Sequence, residues 1–376
     1  MNSLSFVIPC LNEEKTLPIV LEKINRVRES SLSGYKTEIV VSDNGSTDNS
    51  IEIAKKFGAR VVHCPTKGYG AALKNGINNA EEENVVFADA DDTYDFFETP
   101  KLIFELERGY DLVIGDRING NIHKGAMPWL HQYLGTPILT FIINQLYANT
   151  TNRVNDCNSG FRCFKKKSFQ SWKVKSDGME FASEMLIKAV TSNAKISHVP
   201  ISLSPDHKDR QPHLRTWTDG MRHLLQIMAP ASRFFYRSGA ALFFISWMII
   251  IIALGWGPIQ VGIFGIFGIH TMMFATLGTV FGITIMGIGL FLGVSRQTQV
   301  GFYNYLIYLE ENKVFWLSFS IIFLAGSLFL RIFIQWGIFD FKDLAMEYET
   351  LVLITFSVNI CQFVFIMLTA HLIKRI

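Results

Sequence analysis

No Asp, Glu, Lys or Arg occurs between residues 238 and 295. A bilayer core takes about 20 apolar residues per helix, so this stretch is long enough to cross twice. Residues 314–337 and 350–370 are each long enough to cross once more. Four spans leave both ends of the chain on one side of the membrane, and the flanking charges say which. Arg233 and Arg237 precede the first span, Arg296 and Lys313 bound the link between the second and third, and Lys374 and Arg375 close the chain. The opposite link, 338–349, carries Asp340, Asp343, Glu347 and Glu349, with Lys342 as its only cation. The positive-inside rule then places the N-terminal half and the C-terminus in the cytoplasm. Trp247, Trp256, Trp316 and Trp336 fall near span ends, and Tyr303, Tyr305 and Tyr308 lie in a cytoplasmic link, as interfacial anchors do. Gly282, Gly287, Gly289 and Gly293 allow close helix approach in the second span. Arg331 sits within the third span, where a functional charge and a side chain reaching for the interface are both open readings. No chain of carboxylates runs through the spans. The membrane half therefore reads as an anchor and a lipid-side wall, not an ion path.

The rest of the chain is of another kind. The 376 residues are 49% hydrophobic, and the mean hydropathy of +0.23 averages a polar half with an apolar one. A net charge of +2 and the lack of any long Lys/Arg run exclude a polyanion or nucleic acid as partner. Cys10, Cys64, Cys157, Cys163 and Cys361 show neither zinc spacing nor a disulfide framework and read as reduced thiols. Residues 4–9 are too short for the apolar region of a signal peptide and read as a first strand.

Apolar runs at 5–9, 38–42, 60–63, 84–88 and 111–114 alternate with helical patterns at 14–29, 48–57, 70–80 and 99–107. That alternation predicts a mostly parallel sheet covered on both faces. In such sheets ligands bind beyond the carboxyl ends of the strands. Polar clusters follow every expected strand there: Pro9, Asn12 and Glu13; Asp43-Asn44-Gly45-Ser46-Thr47-Asp48; Lys67-Gly68-Tyr69-Gly70; Asp89-Ala90-Asp91-Asp92; and Gly115-Asp116-Arg117. Each alone is an ordinary turn; five in register mark a site. Paired carboxylates at a strand end suit a divalent cation that holds a diphosphate.

Residues 7–13 (Val-Ile-Pro-Cys-Leu-Asn-Glu), the cluster at 43–48 and the Asp89-Ala90-Asp91 triplet resemble the family 2 glycosyltransferases of GT-A fold. Residues 156–162 (Asp-Cys-Asn-Ser-Gly-Phe-Arg) resemble the downstream motif of polyprenyl-phosphate sugar synthases, the dolichol-phosphate mannose synthase branch. With the trailing spans, the likeness is to membrane-anchored bacterial members. The resemblance implies an α/β GT-A domain over 1–212. Within it, residues 128–149 are apolar but interrupted by His131, Gly135, Pro137, Asn144 and Gln145, and are expected to form an interfacial helix pair. A juxtamembrane amphipathic helix is expected at 213–237 and a four-helix membrane domain at 238–376. Asn44 departs from the second Asp of many relatives, and Asp92-Thr93 from the Leu-Gln that often follows the triplet.

The implied reaction is inverting transfer of a monosaccharide from a nucleotide-diphosphate sugar to a polyprenyl phosphate, in a bacterial inner membrane. The resemblance gives Mg²⁺ or Mn²⁺ to Asp89 and Asp91. It gives the nucleotide sugar to Pro9, Asn12, Glu13, Asp43, Lys67, Gly68 and Asp89. Two polyanions must be brought together, so the acceptor phosphate is expected at Arg117, Ser159, Arg162, Arg210 and Arg215, with Lys208 as a further cation; Lys208, Arg210 and Arg215 otherwise touch only lipid headgroups. Asp91, Arg117 and Arg162 are the expected catalytic set. Glu180 and Glu184, one helical turn apart, are expected to orient acceptor-site cations or bind sugar hydroxyls, or else to lie on an exposed face. Homo-oligomerisation is left open. Two other readings stand beside this one. A processive synthase would carry a Gln-x-x-Arg-Trp motif, to which Arg215-Thr216-Trp217 is the nearest approach. A catalytically dead lipid-phosphate scaffold is opposed by the intact Asp89/Asp91 pair.

Overall fold

The computed structural model describes residues 2–207, 216–257, 259–261, 264–295, 310–338 and 348–375. Lys208, Arg210, Arg215, Arg296, Tyr303, Tyr305, Tyr308, Asp340, Lys342, Asp343 and Glu347, all given roles above, lie outside the described residues. Two compact units emerge, Met1–Ile227 and Met228–Ile376.

The first unit is built on a seven-stranded sheet. Its strands are β1 (Ser3–Cys10), β2 (Lys36–Asp43), β3 (Arg60–His63), β4 (Asn84–Phe87), β5 (Leu112–Ile122), β6 (Arg162–Lys165) and β7 (Ile196–Leu203), in the order β3-β2-β1-β4-β6-β5-β7. All pairings are parallel except those of β6, which runs antiparallel to both β4 and β5. β1 shows why the sheet is central. All eight of its residues are buried, as a strand covered on both faces requires. Leu4, Phe6, Ile8 and Cys10 enter one core layer and Val7 enters the other, following the two-residue alternation of a strand.

Helices α1 (Leu17–Glu29), α2 (Ser50–Lys56), α3 (Tyr69–Asn79) and α4 (Thr99–Glu107) carry the crossovers. In α1 the buried residues Leu17, Val20, Leu21, Ile24 and Val27 repeat at three and four, the stripe of a helix lying on a sheet. Each such side chain contributes roughly 1.5–3 kcal/mol when buried. After β6 come α6 (Lys166–Trp172) and α7 (Phe181–Thr191).

The structure corrects three expectations here. Residues 128–149 do not form a helix pair. A π segment, His131–Gly135, runs directly into α5 (Thr136–Leu146). Pro137 has no N–H to give the α-helical ladder, and Thr136 N–H bonds instead to the carbonyl of His131, five residues back. Thr136, Thr140 and Ile143 are buried, whereas Trp129, Tyr133, Ile138 and Phe141 are exposed. The expected single helix at 213–237 is also broken. α8 (Thr216–Met228) ends before Pro230, and α9 (Ser232–Trp256) starts afresh; a proline disfavours helical backbone in the residue before it. Finally, Gly115, Asp116 and Arg117 lie inside β5, not after it.

The second unit contains α9, a short hairpin of β8 (Ile259–Val261) and β9 (Phe264–Ile266), α10 (Ile269–Ser295), α11 (Glu311–Ile338) and α12 (Tyr348–Arg375). Its four helices are long and apolar enough to cross a membrane. At Gly282 and Gly289 of α10, a Cβ would press on the backbone of Phe243 and Tyr236 in α9, so the two helices approach as closely as small residues permit. Arg331 is exposed on α11.

Candidate active site

The loops after β1 and β2 are tied into one piece. Asn12, at φ 56°, takes the left-handed backbone that Asn tolerates. Its N–H donates to Ser46 Oγ at 3.0 Å, and its Oδ1 accepts from Thr47 N at 2.7 Å. Glu13 is buried; its N–H donates to Ser50 Oγ at 2.9 Å, and its Oε2 accepts from Thr16 Oγ1 at 3.0 Å. Asp43 is 2% exposed and accepts from Ser46 N at 2.9 Å and Gly45 N at 3.1 Å, with His63 Nδ1 3.3 Å away. Burial opposes the charge on Asp43, but the hydrogen bonds from Ser46, Gly45 and His63 outweigh it and hold its carboxyl below the usual carboxylate range. Its carboxylate shapes the turn that leads out of β2.

Asn44 explains its own departure from the family pattern. Its amide donates to the carbonyls of Thr66 at 2.7 Å and Cys64 at 3.3 Å, while its Oδ1 accepts from Gly68 N at 2.8 Å. An ionised Asp accepts only, so it could not make the first two bonds. The Asn44 carbonyl in turn receives Lys67 Nζ at 2.8 Å. The N–H of Gly68, expected to cradle a phosphate, is thus already engaged at the start of α3.

From α3 the network crosses to β4. Tyr69 OH donates to Asp89 Oδ1 at 2.8 Å. Burial, and then the Asp89 charge, raise the Tyr69 phenol well above its ordinary value, so it stays a donor. Asp91 is tied locally: its Oδ1 accepts from Thr93 N at 3.1 Å and Thr93 Oγ1 at 2.7 Å. Asp92, at φ 62°, pairs with Lys23 Nζ at 2.7 Å. The Asp92-Thr93 departure therefore has structural work: one residue anchors to α1, and the other orients Asp91. Among the described residues no group of three or more His, Cys, Asp and Glu side chains could hold a metal. Two carboxylates are a donor set that suits a hard cation taking its other ligands from phosphate and water.

The segment before β6 closes the far side. Tyr94 OH accepts from Gly160 N at 2.7 Å and lies 3.4 Å from an Arg117 amino group. Arg117 grips buried Asp156 through Nε–Oδ2 at 2.7 Å and Nη2–Oδ1 at 2.9 Å, the bidentate geometry that suits guanidinium. Burial would raise the Asp156 carboxyl, but Arg117 holds it below the usual range.

Arg162 and Ser159, expected at the acceptor phosphate, are both buried and bonded to main chain. Arg162 is wholly buried, and its guanidinium donates to the carbonyls of Ser159 (3.0 Å), Cys157 (3.0 Å) and Ala182 (2.9 Å). Ser159 is equally buried, and its Oγ accepts from Phe161 N at 3.3 Å. A cation enclosed by three carbonyls braces the loop. Glu184 likewise caps a loop, accepting from Lys175 N at 3.0 Å and Ser176 N at 2.7 Å, and Glu180 Oε1 accepts from Gly178 N at 3.3 Å.

Asp43, Asn44, Lys67, Asp89 and Asp91 thus follow or end β2, β3 and β4, while Arg117 reaches from within β5 to Asp156 and Tyr94. A family model for glycosyl transferase family 2 matches residues 5–171. The low-salt glycan biosynthesis hexosyltransferase Agl6 of Haloferax volcanii is 35% identical, over 80% of this chain and 70% of its own. This chain belongs to glycosyltransferase family 2. The dolichyl-phosphate hexose transferase of the same organism is 32% identical over 53% of this chain and 82% of its own. The Agl6 alignment spans 301 residues, more than the first unit holds, so the likeness reaches into the membrane-capable helices.

In this family 2 glycosyltransferase, Tyr69 and Tyr94 were not anticipated as site residues. Tyr69 sits within the Lys67-Gly68-Tyr69-Gly70 cluster, which was the available clue. Tyr94 lies three residues past Asp91 with no pattern to mark it.

Proposed function

We propose that this glycosyltransferase moves a hexose from a nucleotide-diphosphate sugar to a polyprenyl phosphate in the membrane, with inversion at the anomeric carbon. The observation that carries the proposal is one chain bearing both parts: the carboxylates Asp89 and Asp91 just past β4, the first of them bonded by Tyr69 at the start of α3, and four helices long enough to cross a bilayer. The likeness to a dolichyl-phosphate hexose transferase supports the acceptor.

The chemistry follows from the charges. A phosphate monoester is mostly dianionic at pH 7, so its oxygen attacks the anomeric carbon without needing a strong base. The bond from that carbon to the diphosphate oxygen breaks, and the electron pair leaves with the nucleoside diphosphate. Asp89 and Asp91 hold Mg²⁺ or Mn²⁺, which supplies Lewis-acid stabilisation to the leaving diphosphate. Lys67, anchored by the Asn44 carbonyl, adds a cation beside the same strand ends. Asp43 shapes the turn on the nucleoside side, together with the loop of Pro9, Asn12 and Glu13. Arg117, fixed by Asp156, is the described cation assigned to the acceptor phosphate, and Arg210 and Arg215 supplement it. In this reading the catalytic unit and the C-terminus face the cytoplasm, which the charge asymmetry of the loops supports.

The deciding experiment uses purified full-length protein with radiolabelled UDP- and GDP-hexoses and undecaprenyl or dolichyl phosphate. Label should enter an organic-extractable, mild-acid-labile lipid, and EDTA should stop it. Label appearing only in polymer would favour a processive synthase, and nucleotide-sugar hydrolysis without lipid product would remove the acceptor assignment.

A further inference from the structure

Asp89 is held from two sides by groups that the reaction does not itself need. On one side Tyr69 OH donates to Oδ1 at 2.8 Å. Tyr69 opens α3, and its ring packs against the core layer formed by Val7, Leu73 and Phe87. On the other side lies Gly160. A Cβ built there would stand 2.6 Å from Asp89 Oδ2 and 3.2 Å from Tyr94 OH. Real Cβ atoms do not approach so closely, so any other residue would displace the carboxylate or the tyrosine. The glycine is itself fixed, because its N–H donates to Tyr94 OH at 2.7 Å. Behind it, Arg162 draws together the carbonyls of Cys157, Ser159 and Ala182. The 156–162 motif thus presents a small residue to the back of Asp89.

We infer that Tyr69 is a positioning residue: its hydroxyl, opposed by the cleared space at Gly160, sets the rotamer in which Asp89 meets a divalent cation. The inference rests on the reading that Asp89 and Asp91 hold that cation. A carboxylate on a loop rotates freely unless its oxygens are bonded. A hydrogen bond to one oxygen fixes the plane of both, as outer partners of metal ligands generally do. Tyr69 connects this to the donor side, since its chain neighbours Gly68 and Lys67 are tied to Asn44.

Tyr69→Phe in the full-length protein removes only the hydroxyl and keeps the ring. Mn²⁺ binding, followed by electron paramagnetic resonance in the presence of UDP or GDP, should weaken about tenfold, within the range for loss of such partners. The Mn²⁺ concentration giving half-maximal transfer should rise by a similar factor, and excess Mn²⁺ should restore most of the rate, with the melting temperature near wild type. A folding defect would not be restored by metal. Gly160→Ala approaches Asp89 from the opposite side and should shift the Mn²⁺ midpoint in the same direction. Wild-type Mn²⁺ affinity in both variants overturns the positioning role while leaving the metal assignment standing. Undiminished transfer by the wild-type protein in EDTA overturns the metal assignment and the inference together.

Discussion

Arg162 and Arg117 are both buried arginines, and their partners give them different work. Arg162 has its guanidinium in contact with three carbonyls and no solvent. Arg162→Ala should therefore act on folding. Leaving buried carbonyls unbonded costs about 1–3 kcal/mol each, so a large drop in melting temperature is expected before any change in KM for lipid phosphate. Arg117 answers to Asp156. Asp156→Asn leaves Arg117 buried beside a neutral amide, which should cost about 3–5 kcal/mol; denaturant unfolding of the full-length protein reads it. The Asp156 carboxyl is held below its ordinary value, so its contribution is present above about pH 4 and lost as pH falls through the depressed value. Asp91→Ala, by contrast, should abolish transfer with a smaller change in melting temperature than Arg162→Ala, because the hydrogen bonds from the Thr93 N–H and hydroxyl to its Oδ1 are local ones within a surface loop. The importance of 156–162 was legible in the residues. The role of its arginine was not, because nothing in a motif says whether a guanidinium points at solvent or at main chain.

Among the elements, the first five strands and their helices were readable from alternation alone, since a buried parallel strand is a short, dense apolar run. β6 and β7 were not. β6 is four residues long and begins inside a motif, and β7 carries Ser197, His198 and Pro200 among its apolar residues. β7 is an edge strand, where proline is tolerated. It also carries a pH response. His198 Nε2 accepts from Asn155 N at 3.2 Å, and burial lowers its pKa despite the nearby Asp116 and Asp156 charges. His131, in the π segment, is lowered too, by burial and then by Arg117. For groups depressed in the folded state, stability is fully present above the unfolded value of about 6.5 and is lost as pH falls through the folded one. The melting temperature should accordingly fall between pH 7 and pH 5, and His198→Gln, which retains an acceptor, should flatten that decline.

The molecule as a whole divides at Ile227, and each unit has its own buried clusters. A chain ended after Ile227 should still bind the nucleotide sugar by calorimetry but turn over long-chain lipid poorly. Transfer to undecaprenyl phosphate at the full-length rate in detergent would reduce the membrane helices to a tether. The order of the strands also imposes an order in time. β1 to β4 form a contiguous parallel block from the first 87 residues, whereas β5 has no sheet neighbour but β6 and β7. β5 is therefore expected to join the sheet, as the chain emerges from the ribosome, only once residues 162–165 can insert beside β4. Gly160 arrives against Asp89 in that same event. Nascent chains stalled at residue 150 should remain sensitive to protease around 112–122, and chains stalled well beyond residue 207 should be protected there. Protection of that kind would make assembly of the catalytic centre a late step in the synthesis of the first unit, dependent on the antiparallel strand between β4 and β5.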